Sequence, residues 1–120
     1  MNEMFSPLFI SLFIYYMKLL TKELQTELEK AFETKDDGSN PIALARFFNA
    51  EGAGTWYAMD YNKEDEVFFG VAEITEPEFG YFSKQELEEY RGRFGLGIER
   101  DLYFKPTPIF DIYPRMKPDR

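Results

Sequence analysis

Three apolar, aromatic-rich segments separated by short polar turns constrain the fold of this chain more than any other feature. Residues 42–48 (IALARFF), 55–61 (TWYAMDY) and 66–74 (EVFFGVAEI) have the lengths and residue types typical of strands. The segments between them, NAEGAG at 49–54 and NKED at 62–65, are rich in residues that favour turns. Because short connections join antiparallel neighbours, the sequence predicts a three-stranded antiparallel meander.

An amphipathic helix is predicted before the strands, over residues 18–34 (KLLTKELQTELEKAFET). Its apolar residues recur at every fourth position, which places them on one side of a helix. These residues are Leu20, Leu24, Leu28 and Phe32. Thr21 has the side chain expected of the residue that caps the first turn.

The second half of the chain predicts a short helix and a fourth strand. Residues 83–86 (SKQE) match the capping box S-x-x-E, so a short helix is expected to follow them and to stop at Gly92. Residues 98–104 can form a strand, whereas the prolines of KPTPIF at 105–110 exclude a central strand. The sequence therefore predicts an α+β fold, an antiparallel sheet of about four strands with one amphipathic helix packed on it and one short connecting helix.

The length of 120 residues fits one domain. We expect a single α+β domain at residues 17–111 and a frayed tail at 112–120. The apolar segment at residues 1–16 (MNEMFSPLFISLFIYY) is too short to span a bilayer and lacks the basic flank of a signal peptide. Because Met17 begins MKLLTKEL, which looks like a natural start, we interpret residues 1–16 as an extension from a misplaced start codon. A membrane-surface anchor or an element packed on the core is the alternative.

The composition excludes several classes of chemistry. The chain has no Cys and no His, which rules out disulfides, zinc–thiolate sites and the Ser-His-Asp and Cys-His arrangements. Any catalysis would use carboxylates, Tyr, Lys, Arg or Ser, and an all-oxygen Mg or Ca site stays open in principle. We expect no cofactor.

The net charge of −8 argues against direct binding of nucleic acid through its phosphates. The acidic surplus is uneven, because residues 1–83 hold six Lys and Arg against 15 Asp and Glu, whereas residues 84–120 hold eight against seven. An acidic surface can attract a basic partner, although solubility is the favoured interpretation of the charge by itself. We therefore expect a protein partner, and no membrane contact unless residues 1–16 are an anchor.

The segment EITEPEFGYFS at 73–83 contains four of the candidate binding residues, which are Glu73, Glu76, Glu78 and Tyr81. Carboxylates held together can act as acid and base or bind Mg. However, Pro77 biases Glu76 towards an extended conformation, which permits a pair of carboxylates without requiring one. We interpret the segment as a strand-to-helix connector with a rigid turn. Its glutamates, together with Tyr81, are better candidates for a binding surface than for catalysis.

Three more residues are candidates for binding. Arg100 could hold a carboxylate or phosphate with two hydrogen bonds, although pairing with a structural acid, Glu73 or Glu76, is the favoured interpretation. Trp56 and Tyr57 could form a stacking surface on their strand, although core packing is expected for them.

Several motifs occur in an order typical of one family. They are MKLLTKEL (17–24), TWYA (55–58), FFG (68–70), EPEFGYFS (76–83), GLGIERDLYF (95–104) and PTP (106–108). Over Met17 to about Asp111, the chain resembles the bacterial domain-of-unknown-function family 2958. The resemblance implies a small cytoplasmic bacterial protein, often carried on plasmids and other mobile elements, and it implies no established activity or catalytic residue.

Three functions follow as hypotheses. The first is a non-enzymatic accessory protein of a mobile element that binds a protein partner, such as a host-defence or DNA-processing protein. The second is a carboxylate-dependent or metal-dependent hydrolase, which requires its polar side chains to converge in one cleft. Those side chains are Glu73, Glu76, Glu78, Tyr81 and Arg100. The third is an acidic nucleic-acid mimic that inhibits a defence protein, with its carboxylates at phosphate-like spacing.

Overall fold

The computed structural model describes residues 19–34 and 40–119, and the interpretation of residues 1–16 lies outside them. The elements in chain order are α1 (Lys22–Glu33), β1 (Ile42–Ala43), β2 (Ala45–Asn49), β3 (Thr55–Asn62), β4 (Val67–Glu73), β5 (Pro77–Ser83), α2 (Lys84–Glu89), β6 (Ile98–Arg100), β7 (Thr107–Pro108), α3 (Ile109–Ile112) and a 3₁₀ helix (Pro114–Met116). None of the helices in the described ranges has the length and apolar character needed to cross a bilayer.

Five strands form one antiparallel sheet in the order β5-β4-β3-β2-β6. The predicted meander is confirmed as β2–β3–β4, and the predicted α+β class, with one main helix and one short helix, is confirmed as well. The segment predicted as one strand over 42–48 is divided at Leu44, because β1 leaves the sheet and pairs with β7 in a separate two-stranded ladder.

The fifth strand of the sheet, β5, is a departure from the sequence prediction. It pairs with β4 along its whole length, from Glu73 opposite Pro77 to Val67 opposite Ser83. The predicted rigid turn over Glu76, Pro77 and Glu78 is therefore wrong from Pro77 onward, and the bend is confined to residues 74–76. A proline is tolerated at the first position of an edge strand because its missing N–H faces away from the neighbour.

Helix α1 packs on one side of the sheet, which we call the helix face. The Thr21 side chain accepts a hydrogen bond from the backbone N–H of Leu24 at 3.1 Å, which confirms the predicted cap. The helix begins at Lys22, later than predicted, and Leu19 and Leu20 are buried ahead of it. The buried residues on this face are Leu19, Leu20, Leu28, Ala45, Phe47, Ala58, Tyr61, Phe68 and Leu87.

The C-terminal elements cover the opposite side of the sheet, which we call the tail face. Its buried cluster contains Ala43, Tyr57, Val71 and Ile109. Ile109 is the first residue of α3 and is fully buried. Tyr113 and Met116, within the segment expected to be frayed, pack against this cluster as partly buried residues. The two faces therefore have separate apolar cores that share the strands between them.

Candidate functional site

The hydrogen-bond pattern of β5 fixes which of its backbone groups point away from the sheet. The N–H of Lys84 donates to the carbonyl of Glu66 at 3.1 Å, so these two residues form a hydrogen-bonded pair. Bonded and non-bonded pairs alternate along an antiparallel ladder. In the register of β4 and β5, the residues at 78, 80 and 82 therefore bond to β4. The backbone groups of residues 77, 79, 81 and 83 point outward.

The outer edge of β5 consequently presents a row of unpaired backbone groups. They are the carbonyl of Pro77, both groups of Phe79 and of Tyr81, and the N–H of Ser83. In the ranges that the structure describes, no strand pairs with this edge. A row of this kind is a template for an additional strand.

Two exposed aromatic side chains accompany these backbone groups on the tail face. Phe79 is 40% exposed and Tyr81 is 71% exposed. Both rings pack on Phe69 of β4, with centroid distances of 6.1 Å for Phe79 and 5.0 Å for Tyr81. We call these three residues the aromatic ledge. Because both rings pack on Phe69, the ledge presents apolar surface in a defined position before a partner binds.

The three predicted acids near β5 have different surroundings. Glu76 and Glu78 are exposed, the first in the bend and the second on the strand. The carboxylate of Glu73, in contrast, is partly buried and accepts a hydrogen bond from the Tyr113 hydroxyl. Burial, and after it this hydrogen bond, raises the pKa of Tyr113 above its ordinary value. Glu73 therefore ties the C-terminal segment to the sheet, and Glu76 and Glu78 are the acids that face solvent.

Arg100 lies at the other edge of the sheet, on β6. Its guanidinium donates to the carbonyl of Leu19 at 2.5 Å, so the predicted pairing with Glu73 or Glu76 is wrong. Four strand spacings separate β6 from β5, which places the two edges about 19 Å apart. The structure therefore does not bring Arg100 together with the acids near β5 or with Tyr81.

Trp56 and Tyr57, adjacent on β3, point to opposite faces, so they do not form one stacking surface. Tyr57 is buried on the tail face, as expected for core packing. Its hydroxyl accepts a hydrogen bond from Arg46 Nε at 3.3 Å, and Arg46 also forms an ion pair with Asp101 at 3.1 Å. No local sequence pattern predicts this pair, because the two residues are 55 positions apart.

A cleft of about 340 Å³ lies on the helix face, where the connection from β5 to β6 passes over the sheet. Its apolar walls are formed by Trp56, Ile74, Phe82, Leu87, Tyr90 and Ile98. Trp56 is partly buried there, in contact with the helix-face core. No local sequence pattern predicts this cleft, because its lining comes from four strands and a helix that are spread over residues 49–98.

Three polar side chains also line the cleft. The Ser83 hydroxyl accepts from the N–H of Glu86 at 3.1 Å, and the Asn49 amide donates to the Ala53 carbonyl at 3.1 Å, so both support local backbone. The Glu86 carboxylate has no hydrogen bond or ion pair within the described residues. The capping box predicted at 83–86 is thus formed only by its serine half, and the glutamate is available at the cleft.

A larger cleft, of about 410 Å³, lies near the end of α1. Thr34 and Asn40 form part of its wall, and they flank residues 35–39, which lie outside the described ranges. Phe69 and Tyr81 of the aromatic ledge also line this larger cleft. The smaller cleft has walls that are described throughout, and we take it, together with the outer edge of β5, as the candidate site. Within the described ranges, no three acidic side chains converge in a way that could hold a metal ion.

Comparison with known proteins gives one match. Residues 19–117 match the family model described as "Protein of unknown function (DUF2958)". The matched range contains the whole candidate site, including β5, the aromatic ledge and the cleft. No curated protein and no solved structure matches this chain at a significant level. Because the family model covers well over half of the chain, this protein belongs to the DUF2958 family.

Proposed function

We propose that this protein is a non-enzymatic accessory protein that binds a protein partner, and that the partner adds an extended segment to the outer edge of β5. The observation that carries the proposal is the row of outward backbone groups on a seven-residue edge strand, beside the exposed aromatic ledge. Strand addition to an exposed sheet edge is a recurrent mode of recognition, in which backbone hydrogen bonds supply affinity.

The backbone groups are numerous enough to support measurable binding. An added strand would use the outward N–H and carbonyl groups of Phe79 and Tyr81 and the single groups of Pro77 and Ser83. Hydrogen bonds of this kind contribute a net ~0.5–1.5 kcal/mol each. Together with apolar contact at the ledge, they can supply a large share of the ~8 kcal/mol that corresponds to a micromolar Kd.

The charge near this edge favours a basic partner. Glu76 and Glu78 are exposed beside the outward groups, and the chain as a whole carries a net charge of −8. Complementary charge speeds encounter and disfavours acidic competitors. The segment that fits β5 is therefore extended and carries Lys or Arg.

The cellular setting belongs to the same proposal and is supported by the family resemblance. In this proposal the chain is a bacterial, cytoplasmic protein of a plasmid or other mobile element, and its partner is a host-defence or DNA-processing protein. The hydrolase alternative is not adopted, because Arg100 lies at the edge opposite the acids it would require. The nucleic-acid mimic is not adopted either, because the described acids are spread over α1, the β2–β3 and β3–β4 turns, the strands β3 to β6 and the helices α2 and α3.

The test uses peptides selected from a display library of random linear sequences of about ten residues, a length sufficient to pair with β5. Binding of a selected peptide is compared between Tyr81→Pro and Tyr81→Val. Both variants lack the aromatic ring, but only the proline lacks the outward N–H, and neither disturbs a hydrogen bond to β4. The expected result is at least about tenfold weaker binding to Tyr81→Pro than to Tyr81→Val.

Two results would contradict the proposal. One is a library that yields no peptide for the wild-type protein. The other is a selected peptide that binds Tyr81→Pro and Tyr81→Val with equal affinity, since backbone pairing would then play no part.

A further inference from the structure

The cleft on the helix face lies along the same strand that receives the partner in the proposed function, and this inference rests on that function. We propose that the cleft is the specificity pocket for the added segment and takes a Lys or Arg side chain. The aliphatic stem of that side chain packs on the apolar walls and Trp56, and its charge lies beside Glu86.

A passage leads from the edge of β5 towards the cleft. On the helix face, Ala58, Gly70 and Gly80 lie opposite one another on β3, β4 and β5. A Cβ at Gly80 would have no heavy atom within 4 Å, so the space above this residue is open. Trp56 and Phe82, which belong to the rows on either side of this one, are both walls of the cleft. A side chain of an added strand that projects on the helix face opposite Gly80 therefore enters between them.

The two faces of the added strand would meet different surfaces. Successive side chains of a strand point to opposite faces. Residues of the partner that point to the tail face would meet the aromatic ledge, and those that point to the helix face would meet Gly80 and the cleft. The cleft is thus positioned to select the identity of a single partner residue, whereas the backbone of β5 binds the segment as a whole.

The chemistry of the cleft favours a long basic side chain. Its walls are mostly apolar, and Glu86 is exposed beside them with no ion pair among the described residues. Lys and Arg bury their stems against apolar surface and keep the charged group in water. Cations also favour the face of a Trp ring. A long basic side chain satisfies both the apolar walls and the negative charge of Glu86.

Glu86→Gln and Gly80→Val test the two parts of this inference separately. Glu86→Gln removes the charge, and its control is Glu89→Gln on the same helix, because Glu89 is not a wall of the cleft. Gly80→Val closes the passage, and it leaves the bond of the residue 80 backbone to β4 in place. Thermal unfolding checks that Gly80→Val is folded, which we expect because the added side chain has free space and favours strands.

The probes are again the library-selected peptides. We expect them to share a Lys or Arg at one position, and we expect Glu86→Gln to weaken their binding about fivefold to tenfold, against less than about twofold for Glu89→Gln. Replacing the shared basic residue of the peptide with Leu should abolish the difference between wild type and Glu86→Gln. Gly80→Val should weaken binding at least about tenfold.

The outcomes separate this inference from the function on which it rests. If the peptides discriminate Tyr81→Pro from Tyr81→Val but are indifferent to Glu86→Gln or to Gly80→Val, the pocket is refuted and strand addition stands. If they share no basic residue, the pocket is refuted as well. If Tyr81→Pro and Tyr81→Val bind alike, both proposals fail. A wild-type dimer that buries β5 against β5 of a second copy would also overturn both.

Discussion

The two edges of the sheet differ in length and in the contacts around them. β6 has three residues, and Arg100 at its end donates to the carbonyl of Leu19. Next to it, the N–H of Asp101 donates to the Arg46 carbonyl at 2.8 Å, and the side chains of the same two residues form an ion pair. β5 has seven residues, and its outward backbone groups have no partner among the described residues.

This difference shows which edge is available for binding. Natural sheets commonly protect their edges with short strands, prolines, charges or covering segments, because an open edge pairs with other chains. At β6 the strand has only three residues, which leaves little backbone for an added segment. At β5 only Pro77 and the charge of Glu78 limit pairing, and the exposed ledge increases the apolar area beside the open backbone. The long open edge is thus a feature of the β5 side of the sheet.

The largest effect is expected from a proline that breaks the inner side of β5. Gly80→Pro removes an N–H that is bonded to β4 and directs the proline ring at that strand, so it should lower the free energy of unfolding by about 2–4 kcal/mol. Tyr81→Pro removes an outward N–H and should cost about 1 kcal/mol or less relative to Tyr81→Val. Urea unfolding of the three variants measures both values. Equal losses for the two prolines would show that the assignment of inward and outward groups is wrong.

A smaller loss of stability, without a loss of peptide binding, is expected from a substitution on β6. Arg100→Met retains the stem but removes the bond to the Leu19 carbonyl, so it should lower the free energy of unfolding by about 1–2 kcal/mol. Peptide affinity should stay within about twofold of wild type, because β6 is about 19 Å from β5. Unfolding and binding measurements on the same sample test this. A loss of peptide binding without a loss of stability would show that the peptide binds at the β6 edge, which contradicts binding at β5.

The sequence was informative where local patterns decide the structure. The fourfold spacing of Leu24, Leu28 and Phe32 predicted α1, and Thr21 predicted its cap, because both depend on neighbours within a few turns. The meander was predictable because its turns are short. These elements needed no knowledge of distant contacts.

The sequence failed where pairing between distant segments decides the structure. Pro77 and its flanking acids favoured a turn, yet the pairing of Phe79 and Tyr81 with β4 makes the segment a strand. The partner of Arg100 is a backbone carbonyl 81 residues away, which no charge pattern reveals. Glu76, Glu78 and Tyr81 do lie at the candidate site, and their role in binding stays a prediction.

The central claim, that a partner pairs with the outer edge of β5, is tested most directly by amide hydrogen exchange with and without a library-selected peptide. In the free protein, the amides of Gly80 and Phe82 should already be protected by β4, whereas those of Phe79 and Tyr81 should exchange quickly. With the peptide bound, exchange at Phe79 and Tyr81 should slow by at least about tenfold. If the peptide binds and the amides of Phe79 and Tyr81 exchange at their free rates, strand addition at β5 is contradicted.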